Sequence, residues 1–232
     1  SVLYKFNDHL TTRIGFGLGY KTPTMFTEEA EMLLFRNVAP VGGTLKAERS
    51  TGGTFDFNYR NTIGEKFSYS INQMFFYTAI TDPLILRPDI NNIYRFSNAA
   101  SKVISKGFET NARLGYGLAK LFIGYTFTDA KAGYLAGDRT LTLLPKHKIN
   151  SSLVFEKAES FKAGAEFYYG SRQTLDDRSR TPVSAEFGLF GEKTFGKYSL
   201  FINAENIFDE RQSGNGQVVF PPHQNPTFAE LY

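Results

Sequence analysis

The stretch RIGFGLGYKTPT, Arg13 to Thr24, sets Ile14, Phe16, Leu18 and Tyr20 on one face of an extended chain and Arg13, Gly15, Gly17 and Gly19 on the other. Successive side chains of a strand point to opposite faces, so one face is large and apolar while the other is glycine and a charge. A water-soluble sheet would pack the apolar face on a core and cover the other with Thr, Lys or Glu. Glycine inside a strand costs about 0.5–1 kcal/mol relative to alanine, so three in alternation need a cause.

Composition narrows the possibilities. The chain has 232 residues and a mean hydropathy of -0.29, yet it carries 23 Phe and 13 Tyr with no Trp. The longest apolar run, MFFYTAI at Met74–Ile80, falls far short of the roughly 18 residues of a membrane helix. Membrane strands escape that test, because their alternation never looks hydrophobic in a sliding window. The net charge of +3 is spread along the chain without a Lys/Arg cluster, so no nucleic-acid partner is expected. The absence of cysteine removes disulfides, thiolate zinc sites and thiol catalysis together. The chain opens in mid-pattern at Ser1 with no signal peptide, which suggests a cut or processed start.

Period-two alternation recurs throughout. Thr54–Arg60 sets Phe55, Phe57 and Tyr59 against Asp56, Asn58 and Arg60, and Phe67–Tyr77 sets Phe67, Tyr69, Ile71, Phe75 and Tyr77 against Ser68, Ser70 and Asn72. Gly107–Tyr116, Leu121–Thr128, Ile149–Glu156, Phe161–Gly170, Val183–Glu192 and Tyr198–Phe208 repeat the scheme, and VLYKF at the start ends one more strand. These make about ten strands. The one helical piece is Thr27–Leu34, with Thr27 as cap and an acidic first turn.

The connections are sorted by length. Asn7–His9, Asn61–Lys66, Gly117–Lys120, Lys157–Ser160 and Thr194–Lys197 are tight turns, and between them lie Lys21–Lys46, Pro83–Ser101, Lys131–Pro145 and Thr174–Thr181. Short turns at one end and long loops at the other are the layout of an antiparallel transmembrane β-barrel of the outer membrane. Ile14, Phe16, Leu18 and Tyr20 then face lipid, and the glycines face the lumen, leaving room for something large inside or letting the wall bend. Main-chain hydrogen bonding in a membrane requires a closed ring of strands.

The runs GFGLGYKTPTMFTE (Gly15–Glu28) and LKAERSTGGTFDFNYR (Leu45–Arg60) resemble the C-terminal part of the barrel of TonB-dependent outer-membrane receptors. KGFETNARLGYG (Lys106–Gly117), FIGYTFTDA (Phe122–Ala130), LTLLPKHKINSSLVF (Leu141–Phe155) and FINAENIFDERQ (Phe201–Gln212) follow in the matching order. The closing GQVVFPPHQNPTFAELY is similar to Bacteroidetes members. The resemblance implies TonB-energised uptake of a scarce nutrient such as an iron-siderophore, haem or cobalamin, through a barrel of about 22 strands plugged by an N-terminal domain. Residues 1–232 would then be a partial barrel domain, about ten strands, lacking the plug, the TonB-contacting segment and the final strand. The implied partners are outer-membrane lipid, the plug of the same receptor, the TonB complex and a metal chelate or other small-molecule substrate. A passive pore or structural barrel is the alternative.

Candidate residues follow from these faces. Met25, Phe26, Arg87, Tyr94, Arg95 and Phe96 lie in the long loops, where aromatic and Arg side chains make a ligand surface or pack the loop. Arg13, Asp56, Arg60, Glu109, Arg113, Glu166, Glu186 and Glu205 point to the lumen, where they would pair across strands and meet the plug rather than act as a catalytic carboxylate pair. His9, His147 and His223 lack metal-ligand spacing, Asp176-Asp177-Arg178 lacks the remaining oxygens of a calcium loop, and Gly15-x-Gly17-x-Gly19 has no following helix. No catalytic residue, metal site or cofactor is expected.

Overall fold

Ten strands hydrogen-bond in chain order, each antiparallel to the next, in the computed structural model, which describes residues 1–64, 66–175 and 178–211. Asp176, Asp177, His223 and the segment 216–232 lie outside the described residues. The sheet runs β1 (Val2–Lys5), β2 (Leu10–Lys21), β3 (Glu48–Ile63), β4 (Phe67–Thr81), then β7 (Val103–Tyr116), β8 (Ala119–Ala132), β9 (His147–Lys157), β10 (Phe161–Gly170), β11 (Ser184–Phe195) and β12 (Tyr198–Ala204). Between β4 and β7 sits a separate hairpin, β5 (Leu84–Pro88) with β6 (Tyr94–Asn98).

Two strands cross a bilayer at about 9–11 residues, yet β3 has 16 residues and β4 has 15. They therefore project beyond the membrane at their long-loop ends. The strands extend past the alternating runs of the sequence because polar residues such as Arg49, Ser50 and Thr81 continue the ladder outside the apolar zone.

Three details depart from the sequence reading. The loop Pro83–Ser101 holds the β5–β6 hairpin, whose five-residue strands are too short and too proline-marked to show a period. Its turn is built by Asp89, whose Oδ1 accepts from the amides of Asn91 (2.8 Å) and Ile93 (3.1 Å). The helix α1 spans only Glu28–Met32, capped as expected by the Thr27 hydroxyl, and stops because Leu34 and Phe35 take positive φ. The last strand ends at Ala204 rather than Phe208. Asn206, at φ 47°, accepts from the Glu210 amide (2.8 Å) and donates to its carbonyl (2.9 Å), closing a turn.

Partners across the sheet share a face. Ile14, Phe55, Phe75, Phe108 and Phe127 form one continuous row of the apolar face, and Arg13, Asp56, Met74, Glu109 and Thr126 form the adjacent row of the polar face. A hollow of the sheet, about 330 Å³, is lined chiefly by polar-face residues including Asn72, Asn111, Arg113 and Asn150. The polar face is therefore the concave, inner one. Core burial is slight: among the described residues no large side chain is fully buried, and Phe16, Leu18 and Tyr20 are 70–79% exposed. An apolar outer face without a protein core suits a wall solvated by lipid.

The glycines of the opening run face inward against small neighbours. A Cβ at Gly15 would lie 2.6 Å from the Thr54 hydroxyl and one at Gly19 2.7 Å from that of Ser50. With Gly52 and Thr78 they pave a shallow, nearly side-chain-free patch of the inner wall.

The register also reveals a stagger. Traced through hydrogen-bonded partners, Leu10 of β2 leads to Tyr59, Ile71, Ala112, Ile123, Ser151, Phe167 and then Phe187 of β11, eight residues before that strand's turn-side end at Phe195. The hydrogen-bonded row thus climbs away from the turns by about one residue per strand, as tilted strands of a barrel require. Levelled in this way, Tyr59, Tyr69, Tyr116 and Phe161 form one aromatic belt near the turns, with Tyr59 and Tyr69 rings 5.8 Å apart. Tyr20, Tyr77 and His147 form another near the loops. The belts lie about ten residues apart, or about 25 Å at 2.5 Å of height per tilted residue, which is the apolar height of an outer-membrane barrel.

A polar pair, Gln73 and Thr110, interrupts the outer face near mid-height. Gln73 accepts from the Thr110 hydroxyl (2.6 Å) and donates to the carbonyl of Glu109 (3.2 Å). Its amide is satisfied inside the wall, so it can face lipid without an open hydrogen-bonding group.

Candidate functional site

Two surfaces carry polar chemistry: the inner wall and the crown of loops. On the wall, Arg13 Nε donates to Asp56 Oδ2 at 2.8 Å, and Asp56, only 3% exposed, also accepts the Thr12 hydroxyl at its carbonyl. This pair pins β2 to β3. Glu109 accepts from Asn111 Nδ2 (2.6 Å), and the Arg113 guanidinium lies 5.3 Å from the Phe122 ring centroid on the neighbouring strand. Arg60 lines a second hollow with Arg113, His9 and Asp8 towards the turns. Glu166 accepts from the Tyr168 hydroxyl (3.2 Å), Glu186 is the cross-strand partner of Tyr168, and Glu205 accepts from Asn203.

Seven of the eight candidate wall residues therefore lie on the inner-face parity, and Glu205 follows the end of β12, but they form no single centre. Arg13 with Asp56 is one unit, Arg60 and Arg113 a cationic zone, and Glu166, Glu186 and Glu205 an acidic zone around Tyr168. Between the zones runs a feature the sequence reading missed. Asn58, Asn72, Asn111, Gly124 and Asn150 are successive hydrogen-bonded partners across β3, β4, β7, β8 and β9. Each asparagine reads alone as one polar alternation, and only the register joins them into a row of amides.

The crown is tied together by hydrogen bonds between loops. Asn98 at the end of β6 accepts from the Lys46 amide (2.8 Å) and donates to the carbonyls of Lys46 (2.9 Å) and Asp82 (2.8 Å). The first loop also pairs with β6 directly, through Tyr94 N to Asn37 O (2.7 Å) and Ala39 N to Tyr94 O (2.8 Å). Glu48 Oε1 accepts from the Leu84 amide (2.6 Å). The third loop joins through Arg87 Nη2 to the Tyr134 carbonyl (3.4 Å), and the fourth through Arg178 to the Thr140 carbonyl (3.0 Å) and Leu143 N to Thr174 O (2.9 Å).

Arg87 and Arg95 stand directly opposite one another on β5 and β6, both exposed. Like charges so placed repel. The repulsion is offset by Asp89, whose Oδ2 is 2.9 Å from Arg95 Nε. Arg95, then the amides of Asn91 and Ile93, hold the Asp89 carboxyl below its ordinary range. Burial, then the negative charge of Glu29, pushes the Tyr134 hydroxyl up. Tyr94 and Phe96 flank the arginines and are half-buried, so part of their surface packs the loop. Met25 is half-buried and Phe26 is 76% exposed, with its ring 6.0 Å from Phe35. The structure thus brings Arg87, Tyr94, Arg95 and Phe96 together on one hairpin and leaves Met25 and Phe26 on the first loop. Among the described residues no group of three or more His, Asp or Glu could hold a metal ion. His147 instead stacks beside Tyr125, its Nδ1 2.8 Å from the Tyr125 hydroxyl.

A family model described as "TonB dependent receptor-like, beta-barrel" matches residues 1–207. The chain belongs to the TonB-dependent receptor family. Barrels of this family span the bacterial outer membrane, and the family is one of receptors and transporters. A search of curated protein sequences finds no match. Among solved structures, a ferric enterobactin receptor mutant from Pseudomonas aeruginosa (PfeA) in complex with enterobactin superposes with a TM-score of 0.71 at 16% identity, over 90% of this chain and 34% of that one. The FrpB iron transporter from Neisseria meningitidis gives 0.69 at 14% identity, over 89% of this chain and 34% of that one. A copper transporter, OprC, gives 0.66 at 17% identity, over 90% and 34%. This TonB-dependent receptor chain therefore spans about a third of the length of the structures it matches.

Proposed function

We propose that the chain supplies wall strands and external loops of a transporter that takes up a scarce nutrient as a metal chelate, such as an iron-siderophore, haem or cobalamin, with energy delivered through TonB. The single observation that supports this reading is the braced crown. Four loops are hydrogen-bonded in series around a hairpin that presents two opposed guanidinium groups beside Tyr94 and Phe96. Guanidinium pairs and aromatic faces suit a planar, anionic chelate, and a braced loop loses less entropy on capture than a free one. The relatives named for iron, enterobactin and copper share metal cargo, which favours the same class here. On this reading the ten strands belong to a longer, closed wall. Its mixed-charge inner face would seat a plug domain of the same receptor, and the TonB complex would act through that plug.

The test is uptake of a panel of radiolabelled metal chelates by cells expressing the full-length receptor as wild type or as Arg87→Ala/Arg95→Ala. Losing two charge-assisted contacts should weaken capture by about 10- to 100-fold. Uptake should also stop when the proton-motive force is collapsed. Uptake that persists without that force, unsaturated and indifferent to the arginines, would replace this reading with a passive pore.

A further inference from the structure

The loop-side end of the outer face carries charge that the uptake reading leaves unused. The register places Arg49, Lys106, Asp129 and Lys131 on the same face as Phe55, Phe108 and Phe127. The three cations are exposed. Lys106 is the cross-strand partner of Asp129, whose Oδ2 is 3.7 Å from Lys131 Nζ and whose Oδ1 is buried without a hydrogen-bond partner. Among the described residues Arg49 and Lys106 have no ion pair.

These residues lie on different strands, but the stagger levels them. Corrected by one residue per strand, Tyr20, Arg49, Lys106, Asp129, Lys131 and His147 fall within a band about 8 Å tall, with about 16 Å between Arg49 and either lysine. Immediately below it the outer face turns apolar at Phe75, Phe108 and Phe127. The band therefore sits where lipid tails give way to headgroups on the long-loop side of the membrane.

We propose that Arg49, Lys106 and Lys131 form a docking site for a phosphorylated, anionic lipid headgroup of the outer leaflet. Three cations against one carboxylate leave the band positive, and a headgroup phosphate is the complementary group that the lipid phase presents at that height. The apolar face beneath holds the acyl chains, and Tyr20 and His147 border the patch. Asp129 keeps Lys131 near Lys106 while reducing the net charge. The inference rests on the membrane-barrel reading and concerns its outer surface alone.

The full-length receptor in detergent would be titrated with lipid A and, separately, with phosphatidylcholine, and bound lipid counted by native mass spectrometry. Each cation near an anionic surface is worth about fivefold in partitioning. Arg49→Gln/Lys106→Gln/Lys131→Gln should therefore weaken lipid A retention by roughly 10- to 100-fold and leave phosphatidylcholine unchanged. Asp129→Asn should strengthen it. Lys157→Gln/Lys193→Gln, on the same face near the turns, should have little effect. Equal retention by the triple variant, or a loss as large from the turn-side pair, would overturn the site. Heat-modifiable migration of each variant reports separately whether the barrel has formed, so failure of the barrel reading cannot pass for failure of the lipid site.

Discussion

Replacing Ile123 with Arg, and separately Thr126 with Arg, tests the face assignment within the central part of the wall. Both residues are on β8, and after levelling both lie within about 5 Å of the mid-height between the two aromatic belts. Ile123 is on the outer face, 38% exposed, with Ala112 and Ser151 as cross-strand partners. Neither partner carries a charge, and the nearer aromatic belt is about 10 Å away. An arginine there should cost about 2–4 kcal/mol, the value for a midplane lipid-facing cation. That is roughly a 30- to 900-fold fall in the folded-to-unfolded ratio. Thr126 is on the inner face between Glu109 and Lys148. An arginine there gains one carboxylate and meets one ammonium in a wet lumen, for a net change of about 0–1 kcal/mol.

The assay is the folded fraction of full-length receptor in outer-membrane preparations, read by heat-modifiable electrophoresis over a temperature series. Ile123→Arg should lose most of its folded band or melt far lower, and Thr126→Arg should follow wild type. A loss confined to Thr126→Arg would mean that the inner and outer faces are exchanged. Equal losses would mean that the sheet has no lipid face at all.

Cysteine at Thr44, in the first long loop, should react with an impermeant maleimide on intact cells, and cysteine at Lys197, in the β11–β12 turn, should not; labelling of Lys197→Cys alone would invert the topology. Asn98→Ala removes two hydrogen bonds to Lys46 of the first loop and one to Asp82 at the base of its own loop, and at about 1 kcal/mol each should raise hydrogen exchange by at least tenfold in both the first loop and the hairpin. Exchange rising in the hairpin alone would show that Asn98 does not brace the two loops. The Asp89 carboxyl is held below its ordinary range by Arg95 and two backbone amides, so its contribution is present above that range and lost as pH falls through the lower folded pKa. Amide protection at Asn91 and Ile93 should therefore hold through pH 4 and fall below it, whereas in Arg95→Ala the loss should begin at higher pH; identical profiles would remove Arg95 as the cause.

Strand existence and facing were legible because each alternation is local: Phe55, Phe57 and Tyr59 against Asp56, Asn58 and Arg60 need only their own seven residues. The Thr27 cap was legible for the same reason, since its partner is the Ala30 amide three residues on. Hidden features depend on distant partners. The hairpin at Leu84–Asn98 needs Asn37, Ala39 and Glu48 to anchor its edge and its base. Asp56 looks like any lumen charge until Arg13, 43 residues away, lies against it. Gln73 looks misplaced on an apolar face until Thr110 and the Glu109 carbonyl satisfy it.

The deepest gap between sequence and site is height. Alternation tells which way a side chain points but not how far along the barrel axis it sits, because that depends on the stagger accumulated across every preceding strand. Asn58, Asn72, Asn111 and Asn150 are level in hydrogen-bonding register, yet on tilted strands such a row climbs the inner wall by about 3 Å per strand. A hydrophilic cargo moving along the wall would meet these amides at successive depths, with Arg60 and Arg113 nearer the turns and Glu109 and Glu186 nearer the loops. The same stagger brings Tyr59, Tyr69 and Tyr116 into one belt although the sequence spaces them unevenly. Phe55, Phe75 and Phe108 fill the outer face between the two belts; a soluble sheet has no reason to set tyrosines such as Tyr20, Tyr59 and Tyr69 at the two borders of such a zone, about 25 Å apart, whereas an apolar slab of that thickness favours it. The belt spacing thus supports the membrane assignment independently of the alternation that first suggested it.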